Sequence, residues 1–248
     1  SDATSQRTTA TDMGDYYLVN GIKNWITNGS SASVYLVMAQ TDASKGSRGI
    51  NALIIEKSWP GVTVGAKENK MGIRGSDTHS ISFTDVKVPK ENRIGPDGFG
   101  FKFAMKTLAG GRIGIASQAL GIASGAYELA LQYSKERKAF GKEIMHHQVI
   151  QFKPADMATR IEAARLLCLK AAWEKDQGLD YTLSSSMAKV YASEVAMWAA
   201  TEAVQIHGGY GYVKEFHVER LMRDAKITQI YEGTSEVQRI VIGRSILS

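Results

Sequence analysis

The rhythm of apolar and polar positions changes near residue 97. Before it, short runs of alternating or β-branched residues are separated by turn residues, the pattern of half-buried strands. Tyr16–Val19 and Ile22–Ile26 flank Asn20-Gly21, which predicts a hairpin, because that dipeptide supplies the two positive φ values of a type I′ turn. Val34–Ala39, Asn51–Ile55, Val62–Ala66, Ile81–Phe83 and Val86–Val88 are further strands, punctuated by loops at Trp59-Pro60-Gly61 and Met71–Gly75. With no long amphipathic segment between them to serve as a crossover, they predict an antiparallel sheet, a small barrel or sandwich.

From Gly98 onward apolar residues recur at helical spacing and only Pro154 interrupts. Phe99–Tyr133, a segment from near His147, Thr182–Ile206 and Thr234–Leu247 predict four helices of a set of four or five. Ile150, Met157, Ile161, Ala164 and Cys168 share one face of the second, and Gly208-Gly209 stops the third. The chain therefore reads as α+β: an antiparallel β domain over 1–97, followed by an up-and-down α-helical bundle over 98–248.

Composition removes several function classes. Lys and Arg exceed Asp and Glu by 30 to 25, but the basic residues are interleaved with acids, as in Lys135-Glu136-Arg137-Lys138, and form no stripe for nucleic acid. No apolar run approaches the roughly 20 residues of a membrane span, and Ser1–Thr11 is unlike a signal peptide. A single cysteine, Cys168, cannot form an intrachain disulfide, so a reducing compartment is the expectation. The five histidines (79, 146, 147, 207 and 217) show no metal-ligand spacing. Neither a serine nucleophile elbow nor a Gly-Lys-Ser/Thr phosphate loop is present.

Residues 223–236 carry the candidate chemistry. Glu232 lies between Ile230-Tyr231 and Gly233-Thr234-Ser235. A carboxylate partly desolvated by that apolar pair has a raised pKa, which suits a general base. The same spacing also fits a residue that merely precedes a helix N-cap, with Thr234 or Ser235 capping and Glu236 in the first turn. Trp25 offers a flat face with the Thr27 hydroxyl nearby, or is an ordinary core tryptophan. Arg137 offers a guanidinium fork for a phosphate, and Gly208-Gly209 would let backbone amides approach one, although a charge run and a C-cap account for them equally.

Ile230-Tyr231-Glu232-Gly233-Thr234-Ser235-Glu236, with Arg223-Asp224-Ala225-Lys226, resembles the hallmark of the acyl-CoA dehydrogenase family. Trp25-Ile26-Thr27-Asn28 is similar to the family's flavin-contacting strand, Glu136–Gly141 to its Arg and Phe cofactor motif, and Gln205–Gly211 to its pyrophosphate-contacting turn. The four motifs stand in family order. The resemblance implies FAD as cofactor, held by Trp25, Ile26, Thr27, Arg137, Phe140, Gln148, Gln205, Ile206, His207, Gly208, Gly209, Thr234, Ser235 and Glu236. It implies that Ser1, Gly111, Arg112, Tyr231 and Gly233 meet the acyl-CoA substrate, and that Glu232 removes its α-proton while the β-hydrogen passes to the flavin.

The resemblance further implies that the product is a trans-2-enoyl-CoA, that electrons leave to electron-transfer flavoprotein, and that no metal takes part. It also implies that Arg137, Phe140 and the Gln205–Gly209 turn serve a neighbouring subunit's FAD, and hence a homo-oligomer, a tetramer built as a dimer of dimers. Some branched-chain members carry their base just before the bundle arginine; Gly111 stands there and leaves Glu232 as the candidate. Ala109 replaces an acidic residue common in the family. The run from Gly111 to Ala123 resembles the short-chain, butyryl-CoA branch of fatty-acid β-oxidation, with a short/branched-chain enzyme, an oxidase and a non-catalytic oligomerising module as alternatives. Full members carry a further N-terminal helical domain, so the chain resembles about two thirds of a subunit. Its expected location is the mitochondrial matrix in a eukaryote or the cytoplasm in a bacterium.

Overall fold

The alternating segments form β1 (Thr9–Asp12), β2 (Tyr16–Thr27), β3 (Val34–Gln40), β4 (Ile50–Glu56), β5 (Val62–Lys67) and β6 (Thr78–Pro89). They make one sheet of order β4-β3-β1-β2-β6-β5. The structure, a computed structural model, describes residues 1–247. Two compact units are present, 2–107 and 108–247, the latter grouped with Ser1. All but one of the pairings in the sheet are antiparallel; the exception is β1 with β3, which meet in parallel at Thr9 and Gln40. Alternate residues of the strands, among them Tyr17, Val19, Tyr35, Val37, Leu53, Ile55, Ile81 and Phe83, form its buried core.

Asn20-Gly21 is not a hairpin turn. The backbone runs through it, and β2 is a single 12-residue strand pairing with β6. Opposite Asn20 the β6 strand carries an extra residue, Asp85, at φ +51°. The Asn20 side chain brackets it, donating to Asp85 Oδ1 (3.0 Å) and accepting from the Asp85 N–H (2.9 Å). The bulge also explains why Ile81–Phe83 and Val86–Val88 are one strand: the buried positions are His79, Ile81 and Phe83 leading up to it and Val86 and Val88 after it, a switch from odd to even numbers. Gly21 is required for close approach, since a Cβ there would lie 2.7 Å from Thr8 Cα.

The helical unit contains most of α1 (Gly100–Glu136), a two-residue hairpin of β7 (Lys138–Ala139) and β8 (Lys142–Glu143), then α2 (Gln148–Asp176), α3 (Thr182–His207), α4 (Val218–Thr228) and α5 (Ser235–Leu247). Ala116, Ala119, Ala123, Ala126 and Ala130 recur at helical spacing on α1, and Ala188, Ala192, Ala196, Ala199 and Ala203 on α3. Such small faces let helices approach closely, and Met157, Ile161, Val195 and Ile206 fill the remaining space. The third helix is capped as expected by Gly208 at φ +59°. Among the described residues no helix is long and apolar enough to cross a membrane.

Candidate active site

Glu232 lies in the turn between α4 and α5. The turn is closed by the Ser235 N–H donating to the Gln229 carbonyl (3.0 Å). Thr234 Oγ1 accepts from the Val237 N–H (3.3 Å), and Glu236 is in the first turn of α5. The capping work therefore falls to Thr234, and the Glu232 side chain is left for other use. Glu232 and Gly233 are both left-handed, at φ +55° and +87°. That conformation is costly for a glutamate. It is held from below: Gln238 Nε2 donates to the carbonyls of Glu232 and Gly233 (3.0 Å each), and Lys189 Nζ donates to that of Gly233 (2.6 Å).

The Glu232 carboxylate stands over Gly111 of α1; a Cβ on that glycine would lie 2.5 Å from Oε2. Arg112, the next residue, is buried, donates from Nη1 to Ser186 Oγ (3.2 Å) and has no partner for Nε. Its guanidinium acts electrostatically on Glu232. Burial pushes the Glu232 carboxyl above the usual carboxylate range, and the positive charges of Arg112 and then Lys189 pull it back. Tyr231 is half-buried and donates its hydroxyl proton to Gln118 Oε1.

A second group lies at the end of the bundle where α1 and α3 finish. Arg137 is exposed, its guanidinium 5.6 Å from the ring centre of Tyr210, in the turn that follows Gly208-Gly209. Nothing fills the space beside the α-carbons of Gly208 and Gly209, and Gln205 is exposed next to them. Ile206 and His207 differ from their neighbours, because their side chains belong to the core. His207 bonds the Ala203 carbonyl through Nδ1 (2.8 Å) and stacks on Tyr133 at 4.2 Å. Phe140 is 96% exposed at φ +53° on the β7–β8 hairpin; its ring meets the His147 ring edge-on, and Gln148 opens α2 beside it, exposed.

In the sheet unit, Trp25 is the extra residue of a second bulge, between Lys23 and Ile26 of β2. It has φ +61° and is 72% exposed, so it is not a core tryptophan. Thr27 is exposed two residues on, and Ile26 packs against the sheet core. Among the described residues six non-glycine residues have positive φ, and Trp25, Phe140 and Glu232 are three of them. Strained backbone of this kind clusters at ligand-binding and catalytic positions, and here it falls on two exposed aromatic residues and a half-buried carboxylate. Within the helical unit, the Phe140 ring, the Arg137 guanidinium and the open Gly208–Gly209 backbone suit the adenosine and diphosphate of FAD, and in the sheet unit the exposed Trp25 ring suits a flat ring system.

A family profile described as the acyl-CoA dehydrogenase C-terminal domain matches residues 98–247, and one for the middle domain matches 1–86. The chain belongs to the acyl-CoA dehydrogenase family. It is 56% identical over 248 residues to the short-chain specific acyl-CoA dehydrogenase of Megasphaera elsdenii, covering all of this chain and 65% of that protein. It is 52% identical over 247 residues to the caffeyl-CoA reductase-Etf complex subunit CarC of Acetobacterium woodii, again all of this chain and 65% of the relative. The solved structure of butyryl-CoA dehydrogenase from Megasphaera elsdenii superposes with a TM-score of 0.98 at 56% identity, over 100% of this chain and 65% of that one. The chain therefore spans about 65% of the length of these relatives.

Lys189, Gln238 and Gln118 were not foreseen. A lysine in a polar-looking stretch reads as a surface residue, yet Lys189 is 0% exposed. The available signal was its place on the α3 face, between Ser185 and Ala192, where neighbours at helical spacing are small and buried.

Proposed function

We propose that the subunit to which this chain contributes dehydrogenates a short-chain acyl-CoA at its α,β bond, with FAD as cofactor and electron-transfer flavoprotein as electron partner. The observation that carries the reading is the Glu232 carboxylate, desolvated, set over a glycine and facing two buried cations. A thioester α-proton is weakly acidic, so its removal needs a base that is close, poorly hydrated and still ionised. Desolvation makes Glu232 the stronger base, while Arg112 and Lys189 keep an ionised fraction available. The absent side chain at Gly111 leaves the carboxylate room beside α1.

FAD, when bound, supplies the two-electron acceptor for the β-hydrogen. Trp25, Ile26 and Thr27 would flank its ring, and Thr234, Ser235 and Glu236 would meet it from the start of α5. Arg137, Phe140, Gln148 and the Gln205–Gly209 turn would hold the diphosphate and adenosine of a neighbouring subunit's cofactor, with Ile206 and His207 acting through backbone. That sharing makes the working form a homo-oligomer, a tetramer of paired dimers. Ser1, Gly111, Arg112, Tyr231 and Gly233 would border the acyl-CoA. The short-chain and butyryl-CoA names of the relatives support a small acyl group. In the reductive direction named for the caffeyl-CoA relative, the same carboxyl would return the proton.

Glu232→Gln keeps size and hydrogen bonding but removes the base. Its turnover should fall by about 10²–10⁴-fold while flavin absorbance near 450 nm is retained. Dehydrogenation at the native rate would sink the assignment. Comparing butyryl-, hexanoyl-, octanoyl- and 2-methylbutyryl-CoA fixes the acyl preference.

A further inference from the structure

We infer that Lys189 is a positioning residue for the Glu232 carboxylate: it fixes the left-handed Glu232–Gly233 turn through the Gly233 carbonyl and holds a buried positive charge that keeps the carboxylate ionised. The inference rests on Glu232 being the base. Lys189 lies in the middle of α3, wholly buried, with Ser185, Ser186, Ala188, Ala192 and Ser193 around it on the same helix face. An ammonium in such a place has given up most of its hydration. A hydrogen bond to Gly233 does not account for that loss, because the neutral Gln238 amide already donates to the same carbonyl. What an amide cannot supply is charge.

The groups facing this cluster are few. From α1 comes Arg112, buried, with Nε unpartnered; from α3, Lys189; from the turn, Glu232 and the Tyr231 hydroxyl, which is engaged by Gln118. From α5 comes Glu236, exposed, which acts on Lys189, and from α4 Asp224, which acts on Tyr231. Two buried cations therefore oppose one half-buried carboxylate and offset part of its desolvation. Burial depresses the Lys189 ammonium to about 8, with Glu232 raising it, Arg112 lowering it and Glu236 raising it, so it is charged at neutral pH. Lys189 thus acts through Glu232 and needs no contact with substrate.

The test uses the full chain, with glutamate labelled at the carboxyl carbon and the Glu232 signal assigned by its loss in Glu232→Gln. Lys189→Gln keeps a donor without charge, and Lys189→Met removes both. Both should raise the Glu232 midpoint by about one pH unit and carry the rate–pH profile alkaline by the same amount, lowering kcat at neutral pH with little change in KM. A purely structural lysine would lower stability and leave the midpoint alone, and an unmoved midpoint in folded Lys189→Gln overturns the inference. The reciprocal measurement leaves residue 189 intact: in Glu232→Gln the Lys189 ammonium should titrate below its native value of about 8, because coupling acts equally in both directions. An unmoved lysine there overturns the inference as well. Native turnover in Glu232→Gln strikes the base assignment, and with it the catalytic use of the coupling, whatever the titrations give.

Discussion

A glycine in the middle of a helix costs about 1 kcal/mol relative to alanine, and α1 carries two in succession, Gly110 and Gly111. For Gly111 the cost has a local cause: a methyl group there would lie 2.5 Å from Glu232 Oε2 and 3.1 Å from its carboxyl carbon. The end of a glutamate is flexible, so alanine would displace the carboxylate rather than break the helix. Gly111→Ala is therefore expected to hold or raise the unfolding midpoint while kcat falls by about 10- to 100-fold, as it does when a reacting group moves by about 1 Å. Thermal unfolding and steady-state kinetics on the same preparation check both signs. A lowered midpoint with native kcat would mean that the glycine serves helix packing. At this scale the sequence was half legible. The apolar neighbours of Glu232 could be read from their order in the chain, and the missing base at 111 from the family resemblance. The left-handed φ of Glu232 and the buried charge of Lys189 could not, because they meet only when the fold brings α3 against a turn 44 residues further along the chain.

Regular elements were legible where one periodicity ran unbroken. The long apolar helices α1, α2, α3 and α5 and the strands β3, β4 and β5 appear within a few residues of their expected bounds. β1 and α4 were not foreseen. Thr9–Asp12 has one buried residue, Ala10, and α4 is 11 residues long and heavily charged, stabilised locally by Glu219 and Arg223 (Nε to Oε2, 2.6 Å). The Asn20-Gly21 expectation failed for a different reason: local turn propensity was overridden by a partner 65 residues away, Asp85. The two readings of that dipeptide separate in Asn20→Gly. A type I′ turn would accept the change, since glycine suits both its positions. A bulge bracketed by the Asn20 side chain should lose about 1 kcal/mol, the net worth of exposed side-chain hydrogen bonds. Urea unfolding followed by amide exchange along β2 and β6 measures it, and unchanged protection at Val19, Gly21 and Val86 would show that the bracket is dispensable.

For the whole molecule, the proposal that cofactor groups are shared between subunits requires a surface that a second copy can cover. α2 offers one. Met157, Ile161, Ala164, Cys168 and Ala171 occupy its buried face. On the opposite face Phe152, Leu166, Leu169 and Trp173 form a stripe in which each side chain is between 58% and 59% exposed. A helix apolar on two faces is suited to burial on both, and a monomer would leave these four large side chains in water. Assembly through this stripe would remove them from water at about 25 cal/mol per Å² of apolar area buried, the hydrophobic contribution that a lasting subunit contact needs. Leu169→Glu places a charge at the middle of the Leu166–Trp173 stretch, far in sequence from Glu232 and from the Arg137 and Gly208 groups. It should shift the sedimentation coefficient of the chain towards that of the monomer, with helical circular dichroism unchanged. Flavin affinity should fall in parallel if, as proposed, Arg137, Phe140 and the Gln205–Gly209 turn serve a cofactor seated mainly on the neighbouring copy. An oligomer that survives Leu169→Glu would exclude this face of α2 as the contact, and full flavin affinity in a demonstrated monomer would exclude sharing.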